Sequence, residues 1–361
     1  MDVNVPDAQN SHAGLMPSAT ALPASTAAWR GRQIVWTVVL LAVVFGAVPA
    51  AITATGSSYL AQIAITAMIF VILSASLNHI TGTAGLLSIG HAAFYGIGAY
   101  AAALLSTKLG LPFIVTLPAA GLIAAFVGFL VAMPTMRLVS IYFAVATLGI
   151  GEMIYVILLN WVDLTRGPMG IRGIPPIELF GWQANTLLSR YMAVAVIAVA
   201  CVWVLHRLTH SYYGNALRAL REDDQCADSM GIDVVRLKVE AFVVSTFFAG
   251  VAGALLSHTS AYIAPDNFRF MESILILAMV VVGGMGSLPG AVVGALFMIV
   301  LPEALRDIGD YRMIAVGATM FLSILLLPKG MLAEGASLAF VRRAFARGWM
   351  TMSGGTPVGW K

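Results

Sequence analysis

Residues 206–238 have the sequence HRLTHSYYGNALRALREDDQCADSMGIDVVRLK, and this segment lies between two strongly apolar parts of the chain. Its last 32 residues hold five basic and five acidic side chains, whereas the whole protein has only 20 Lys and Arg and 17 Asp and Glu. We call residues 206–238 the polar island. A segment this charged must lie in water, so the apolar runs on either side of it are predicted to end at a membrane surface.

The composition around the polar island is that of an integral membrane protein. The chain is 60% hydrophobic and 10% charged, whereas soluble proteins average about 25% charged residues, and its mean hydropathy is +0.90. The 35 glycines suit helices that pack closely in a bilayer. A net charge of +3 is too small to favour a nucleic-acid partner, and we expect none.

The apolar runs predict the fold class. Runs that could each form a membrane helix lie at residues 34–52, 60–80, 86–107, 112–133, 141–160, 190–206, 239–258 and 313–328. Another run, 272–302, is interrupted by GGMGSLPG at residues 283–290, and each half is too short to cross alone. The sequence therefore predicts an all-α polytopic membrane protein with about 8 to 10 transmembrane helices, including a broken or re-entrant helix pair near 272–302.

Basic residues set the predicted orientation, because they concentrate on the cytoplasmic side of membrane proteins. Counting one crossing for each run places Arg137 and the polar island on the same side as Arg30 and Arg32. The basic tail around Arg343 joins them only if the broken run enters and leaves the bilayer on one face. The count thus favours a re-entrant pair of half-helices over one long kinked span.

Three regions follow from this orientation. We expect a cytoplasmic disordered tail at residues 1–32, a transmembrane domain at 33–330 and a cytoplasmic tail at 331–361. Within the transmembrane domain, the polar island is cytoplasmic and residues 160–190 form an external loop, which is either a connector or a docking surface. Residues 48–50 match the small-x-small pattern of a cleavage site, but the long segment before the first run favours an uncleaved anchor.

A helix over residues 216–230 is predicted within the polar island. Asp223 and Asp224 fall on its apolar half, so this helix is expected to bend or to split there. Gly214 is expected to start the element and Gly231 to end it. Such a helix either docks in a groove of another protein or lies on the bilayer surface, and the pattern alone fits both. The apolar half consists of Ala216, Leu217, Ala219, Leu220, Cys226, Ala227 and Met230.

Two ionisable side chains inside the apolar runs are candidates for function, because charge within a membrane is costly. His91 is expected either to form a structural hydrogen bond or to contact substrate. A carboxylate such as Glu152 costs roughly 2.5 to 3.5 kcal/mol at the centre of a span, so it is expected to be hydrogen-bonded or to line a path. The glycine-rich stretches near Gly82 and at 283–290 loosely resemble each other, which favours two related halves around such a path.

The sequence contains no GxxxxGK[ST], HExxH or GxSxG motif. We therefore predict no catalytic residue, metal site or cofactor site in this chain and expect that it is not an enzyme. Without a phosphate-binding loop, any ATP must be hydrolysed by another polypeptide. The two cysteines, Cys201 and Cys226, are too few for a disulfide framework, and both are expected to be reduced and structural.

Several motifs between residues 60 and 331 give the chain a resemblance to a known family. They are GLLSIGHAAF at 85–94, YFA at 142–144 with TLGIGE at 147–152, GP and GI within 167–171, the segment 214–231, FFAGVAGA at 247–254, ESI at 272–274, residues 283–290, and Pro328 with Gly330. Together these motifs resemble the permease subunit of branched-chain amino-acid ABC importers, the LivM type.

This resemblance implies a bacterial inner-membrane location with both termini in the cytoplasm. It also implies a sister permease subunit, two cytosolic ATPase subunits that bind ATP and Mg²⁺, and an external solute-binding protein. In such importers a cytoplasmic permease loop docks on the ATPase, and residues 214–231 match that loop by position. The expected ATPase-coupling residues are Gly214, Leu217, Arg218, Leu220, Arg221, Glu222, Ala227, Met230 and Gly231. The expected translocation path includes Ser88, His91, Glu152, Gly283, Gly284 and Gly286.

The chain departs from the family at Tyr155, where relatives often carry a basic residue able to pair with Glu152, and at Arg166 and Met169 in the external loop. The expected function is import of branched-chain amino acids, or a related small polar solute, by alternating access powered by partner ATPases. Urea or short amides are alternative solutes. An ion-coupled secondary transporter that works without an ATPase is the alternative mechanism, with Glu152 as a possible proton site.

Overall fold

The computed structural model describes residues 43–136, 138, 140–179, 182–184 and 186–305, together with positions 314, 317, 318, 321, 325 and 330. The chain divides into two compact units, the first ending at Ala54 and the second beginning at Thr55. In the first unit, a π-helical turn, Val43–Ala47, precedes helix α1, Val48–Thr55, which ends at the boundary. The predicted tails 1–32 and 331–361 lie outside the described residues. Gly330, the last residue of the predicted transmembrane domain, is described.

The second unit is helical, and its few strands are two residues long. Strand β1 (Ile171–Arg172) pairs antiparallel with β4 (Tyr262–Ile263), and β2 (Glu178–Leu179) pairs with β3 (Trp182–Gln183). A π-helical segment, His79–Thr83, extends α2, and 3₁₀ turns cover Gly167–Met169 and Pro265–Phe268. The helices are α2 (Ser58–Asn78), α3 (His91–Lys108), α4 (Phe113–Thr135), α5 (Ser140–Asn160), α6 (Val162–Thr165), α7 (Leu187–Thr209), α8 (Tyr212–Glu222), α9 (Asp224–Ser229), α10 (Val234–Ser260), α11 (Phe270–Gly283) and α12 (Leu288–Ala304).

The helix lengths match the predicted membrane protein. Among the described residues, five helices are long and apolar enough to cross a bilayer, and shorter apolar helices cover Val44–Ala54 and Leu288–Ala304. A helix satisfies all its interior backbone hydrogen bonds within itself, which is why apolar spans in lipid take this form. The predicted class, an all-α polytopic membrane protein, is confirmed. The five spans are Ser58–Thr83, Phe113–Thr135, Ile141–Asn160, Leu187–Thr209 and Val234–Ser260.

Helix α10 packs between α3 and α4 through small residues. A Cβ atom added to Gly98 of α3 would lie 2.3 Å from the Gly250 Cα, and one added to Gly250 would lie 2.5 Å from the Ala124 Cβ of α4. Gly128, further along α4, faces Thr246, which comes earlier in α10. The contacts therefore run in opposite directions along α4 and α10, so these two helices are antiparallel and their backbones approach closely.

Helices α11 and α12 form a hairpin. A Cβ added to Gly283 would lie 2.1 Å from the Gly290 carbonyl oxygen, and one added to Gly294 would lie 2.1 Å from that of Met279. The chain reverses at Gly284 and Gly286, whose φ angles of 114° and 89° suit glycine. With 14 and 17 residues, the two helices are about 21 and 26 Å long, less than the roughly 30 Å hydrocarbon core. The prediction of a broken helix pair is thus confirmed, and the alternative of one long kinked span is wrong.

The second unit has two ends, which we call the island end and the loop end. Helices α8 and α9 lie at the island end, together with the π-helical segment and the hairpin turn. Segments 160–179, 182–184 and 261–269 lie at the loop end, where β1 pairs with β4 and the Pro175 carbonyl lies 2.8 Å from His258 Nδ1. The predicted external loop is therefore an ordered segment that buries Ile174 and Ile177 against its own chain.

Close packing at Gly98 yields a stability prediction. Replacing Gly98 with Ala is expected to lower the stability of the purified subunit in detergent by about 1–3 kcal/mol, because the added methyl overpacks the contact with Gly250. Thermal unfolding followed by intrinsic fluorescence measures the change. Gly149→Ala is the matched helical control, since a Cβ there meets nothing within 4 Å. Equal melting temperatures for the two variants would show that the close approach of Gly98 to Gly250 does not limit the stability of the subunit.

Candidate functional site

The polar island folds as two helices rather than one. The Asp223 carboxylate accepts hydrogen bonds from the backbone N–H groups of Gln225 at 2.8 Å and Cys226 at 3.0 Å, so it caps the start of α9 and separates it from α8. These bonds, led by the one from Cys226, lower the pKa of Asp223. The predicted split at Asp223 and Asp224 is confirmed, and the single helix over 216–230 is replaced by α8 and α9.

The two glycines expected to bound the island helix have different roles. Helix α8 begins at Tyr212, capped by Ser211, so the prediction that Gly214 starts it is wrong. Gly214 lies in the first turn of α8, where a Cβ would be 2.0 Å from the Thr209 carbonyl oxygen of α7. Gly231 follows α9 with a φ of 82° and donates its N–H to the Asp228 carbonyl at 2.9 Å, as expected for the end of a helix.

Three of the seven residues in the apolar half predicted for docking face the protein itself, whereas Ala219, Cys226 and Met230 are exposed. Leu217, Leu220 and Ala227 are 0%, 2% and 4% exposed, because α8 and α9 pack on α7, α10 and the π-helical segment. Their expected contact with a partner is therefore corrected: in this structure they hold the island to its own chain. Glu222 and Met230 are exposed and remain available to a partner, with Met230 83% exposed.

Arg221 connects the island to both glycine-rich stretches. Its Nη1 donates a hydrogen bond to the Gly82 carbonyl and lies 2.7 Å from where a Gly286 Cβ would be. The Asn78 Oδ1 accepts the Gly286 N–H at 2.9 Å, and a Cβ on Gly82 would be 2.3 Å from the Gly286 nitrogen. We call Asn78, Gly82, Arg221 and Gly286 the glycine junction. The two stretches that the sequence likened to each other therefore meet, with an island side chain bound to them.

Further contacts fix α8 and α9 to the longer helices. Lys238 Nζ of α10 pairs with Asp224 Oδ2 at 2.5 Å, and the ring of Tyr213 stacks on His79 with 6.0 Å between centroids. Burial raises the pKa of Tyr213, and the negative charge of Glu240 adds to this. Motion of α8 and α9 is thus coupled to α10 and to the end of α2.

A cleft of about 580 Å³ lies between α8 and α9 on one side and the start of α10 and residues 84–86 on the other. Its walls carry apolar groups together with charges of both signs. The lining consists of residues 84–86, Met136, Leu138, residues 220–224, Val234, Val235 and Lys238. The island is therefore held at discrete points, and space remains beside it for movement.

The predicted path residues do not form one site. Gly283, Gly284 and Gly286 lie at the hairpin turn, at the island end. His91 is buried and its Nε2 lies 2.9 Å from the Ser76 Oγ, in agreement with the structural interpretation. Ser88 is also buried, in the non-helical segment before α3.

Glu152 lies elsewhere, beside a void of about 10 Å³ between α5, α11 and the start of α3, which has room for about one water-sized group. Within the part of the chain that the structure describes, its carboxylate has no hydrogen-bond or ion-pair partner. The void is bounded by Ile89, Gly90, Ala93, Leu148, Gly151, Phe268, Phe270 and Ser273. Thr147 and Ser273 fix this region by accepting the N–H groups of Ile89 at 3.1 Å and Ala92 at 2.9 Å.

A cationic group that the sequence analysis missed lies next to this void. Arg269 donates from Nε and Nη2 to the Tyr155 hydroxyl, both at 3.1 Å, and its Nε is 3.0 Å from Asp266 Oδ1. The Tyr155 bond, with the Asp266 charge, raises the pKa of Arg269. Arg269 lies 114 residues after Tyr155 in the chain, so no local sequence pattern pointed to this contact.

Two further predictions concern cysteines and metals. Cys201 and Cys226 are both free, but Cys226 is exposed, so its predicted structural role is wrong. Among the residues that the structure describes, no group of three or more His, Cys, Asp or Glu side chains could hold a metal ion.

The chain matches, over residues 59–325, the family model of the branched-chain amino acid transport system / permease component. It is 37% identical over 294 residues to the high-affinity branched-chain amino acid transport system permease protein LivM of Salmonella typhimurium and 38% identical to LivM of Escherichia coli. Each match covers 75% of this chain and 69% of the relative. The permease protein LivH of Escherichia coli is 27% identical over 293 residues, 73% of this chain and 91% of that protein. No solved structure gives a significant match.

The glycine junction yields a second prediction. Arg221→Ala is expected to raise amide hydrogen exchange about tenfold at residues 79–86 and 284–287, because the Gly82 carbonyl loses a charged donor worth about 1.5–3 kcal/mol. Exchange measured by mass spectrometry on the purified subunit gives the map. Arg236→Ala is the control, since its Nε bonds to Glu240 within α10, and its effect should stay within α10. Equal exchange at 284–287 in both variants would contradict the link.

Proposed function

This chain belongs to the family of permease components of branched-chain amino acid transport systems, and we propose that it is the permease subunit of an ABC importer. In this proposal it moves branched-chain amino acids, or a related small polar solute, inward by alternating access. ATP is hydrolysed by partner subunits, which bind the ATP and Mg²⁺, and this chain itself catalyses no reaction. The transmembrane permease domain is assigned to residues 33–330.

The observation that carries the proposal is the Arg221 contact. An arginine from a charged, water-facing helix binds the Gly82 carbonyl and lies against Gly286 in the turn of the α11–α12 hairpin. A displacement of α8 would therefore move the π-helical segment and the hairpin turn at once. Interrupted helices of this kind are typical of transport paths. The polar island is in this way suited to convert a partner's motion into a rearrangement of the helices.

The partner at the island is inferred to be an ATPase. This chain has no phosphate-binding loop, and the exposed side of α8 and α9 presents Glu222 and Met230 for docking. The cleft beside the island leaves it room to move when the partner closes. The coupling surface is thus narrower than the sequence suggested, since the buried Leu217 and Leu220 act by attaching α8 to its own chain.

The orientation follows from the basic residues and the hairpin. With the island in the cytoplasm, the loop end faces outward, and a hairpin that returns to its starting side brings both termini inside. We assign the protein to the bacterial inner membrane in this orientation. The described residues within 160–190 then offer their exposed surface to an external solute-binding protein. A sister permease of related sequence is supported by the similarity of this chain to both LivM and LivH proteins.

A secondary transporter is the second candidate, and one observation favours it. The Glu152 carboxylate lies within the span Ile141–Asn160 and has no partner among the described residues, which is the placement expected of a coupling-ion site. A secondary transporter does not require the contact of Arg221 with the two glycine-rich stretches, because no partner acts on α8 in that mechanism. We therefore place the secondary transporter second.

Reconstitution distinguishes the two mechanisms. Proteoliposomes that contain this chain with its sister permease and ATPases are expected to accumulate labelled leucine only when ATP and the loaded binding protein are supplied. The purified chain alone, under a proton or sodium gradient, is expected to show no uptake above empty vesicles. Gradient-driven uptake by the chain alone would overturn the ABC assignment in favour of the secondary transporter.

The coupling role has a test of its own. Arg221→Glu is expected to reduce ATP-driven uptake at least tenfold while the subunit still inserts and assembles, because a carboxylate cannot donate to the Gly82 carbonyl. Uptake and assembly are measured on the same membranes, with Arg236→Gln as control, since Arg236 pairs within α10 with Glu240. Normal uptake by the Arg221→Glu complex would show that the junction does not carry the coupling.

A further inference from the structure

The loop end has a mouth in which charges of both signs meet apolar walls. Glu152 and Tyr155 are three residues apart on α5, so their side chains are neighbours about 5–6 Å apart at Cβ on one face of the helix. The Arg269 guanidinium is hydrogen-bonded to the Tyr155 hydroxyl. Phe268 and Phe270, the residues on either side of Arg269, both line the void beside Glu152. Glu152 lines this void, and Arg269 is connected to it through Tyr155 and through its two phenylalanine neighbours.

We propose that this mouth is a recognition site for the zwitterionic head group of a free amino acid. The Glu152 carboxylate takes the α-ammonium group, the Arg269 guanidinium takes the α-carboxylate, and Leu148 with Phe270 contacts the aliphatic side chain. This inference rests on the proposed function and deepens it, because it names the groups of the solute that this chain reads.

The chemistry of Glu152 supports the assignment. A carboxylate inside a span needs a cation or hydrogen-bond donor, and the described residues supply neither. The void at Glu152 holds about one water-sized group, which is also the size of an ammonium group. A solute that carries its own ammonium would therefore complete the site, and an uncharged solute would leave the carboxylate unpaired.

Arg269 is suited to the opposite end of the same molecule. It is exposed, and the contacts to Tyr155 and Asp266 engage Nε and Nη2 but leave Nη1. A guanidinium binds carboxylates in a planar, two-pronged geometry. Arg269 contacts Tyr155, which lies three residues after Glu152 on α5 and therefore about 4.5 Å closer to the loop end along the helix axis. A bound zwitterion would thus point its ammonium group deeper into the protein than its carboxylate.

One wall of the mouth is fixed and the other can yield. Phe268 is 2% exposed and packs edge-on against Tyr95 and Tyr100, with centroids 5.2 and 6.0 Å away. Phe270 is only half-buried. The small void beside Glu152 is therefore expected to widen by a shift of Phe270, and the apolar surfaces there favour an aliphatic side chain over a polar one.

Ligand-observed NMR tests this site without any partner subunit. Saturation transfer from the purified chain in nanodiscs to L-leucine, leucinamide and 4-methylpentanoate is compared at millimolar concentrations. Leucinamide lacks the carboxylate and 4-methylpentanoate lacks the ammonium. The wild-type chain is expected to give at least fivefold more transfer to leucine than to either analogue. Equal transfer to all three, or none to leucine, would overturn the proposal.

Two substitutions assign the charges. Glu152→Gln is expected to remove the preference for leucine over 4-methylpentanoate. Arg269→Gln is expected to remove the preference for leucine over leucinamide. Asp163→Asn and Arg172→Gln are matched controls, because both residues are exposed at the loop end but do not line the void. A loss of preference in the controls as well would show a general surface effect and contradict the site.

The outcome separates this inference from the proposed function. A wild-type chain that prefers leucine, in a complex that fails at ATP-driven uptake, would leave the site intact and refute the importer. ATP-driven uptake with NMR preferences unchanged by Glu152→Gln and Arg269→Gln would refute the site alone. For a variant that unfolds, Glu152→Asp and Arg269→Lys keep the charge, and an unchanged preference in these two variants is the expected result.

Discussion

Close backbone approach at Gly250 is the constraint on which the rest of the second unit depends. There α10 meets α3 at Gly98 and α4 at Ala124, at separations that leave no space for a side chain. Lipid tails are as apolar as the helices, so burial of apolar surface does not drive helices together, and contact between small residues must do so. With α10 held between its neighbours, its first residues carry Lys238 to the island and its last residues lead to the segment that holds Arg269.

Glycines also allow close backbone approach at the island end, where their peptide groups are left accessible to polar side chains. Gly82 and Gly286 approach so closely that only backbone fits between them, and the peptide groups of these turns find partners in Asn78 and Arg221. A buried peptide group without a partner would be costly. The partner chosen for Gly82 comes from a charged helix that faces water, so a requirement of backbone hydrogen bonding joins the aqueous island to the membrane helices.

The two ends of the unit thus have complementary properties. At the island end, Arg221 and Lys238 are both paired and connect α8 and α9 to the neighbouring helices. At the loop end, the Glu152 carboxylate has no partner among the described residues, and Arg269 is exposed. The α11–α12 hairpin connects these regions, since α11 starts beside Arg269 and ends at the turn that touches Arg221.

The sequence by itself determined the helical membrane class, the break in the run 272–302, the split of the island at Asp223 and the family. Each of these depends on composition or on contacts within a few residues, such as the Asp223 side chain capping its own next turn. Only the tertiary structure decided that Leu217 and Leu220 face their own chain, that Gly214 serves close packing, and that Arg269 binds the Tyr155 hydroxyl. These features join segments far apart in the chain, as Arg221 joins Gly82, 139 residues away. Helical periodicity identifies an apolar face, but only the packed neighbours decide whether that face is covered by the chain itself or left for a partner.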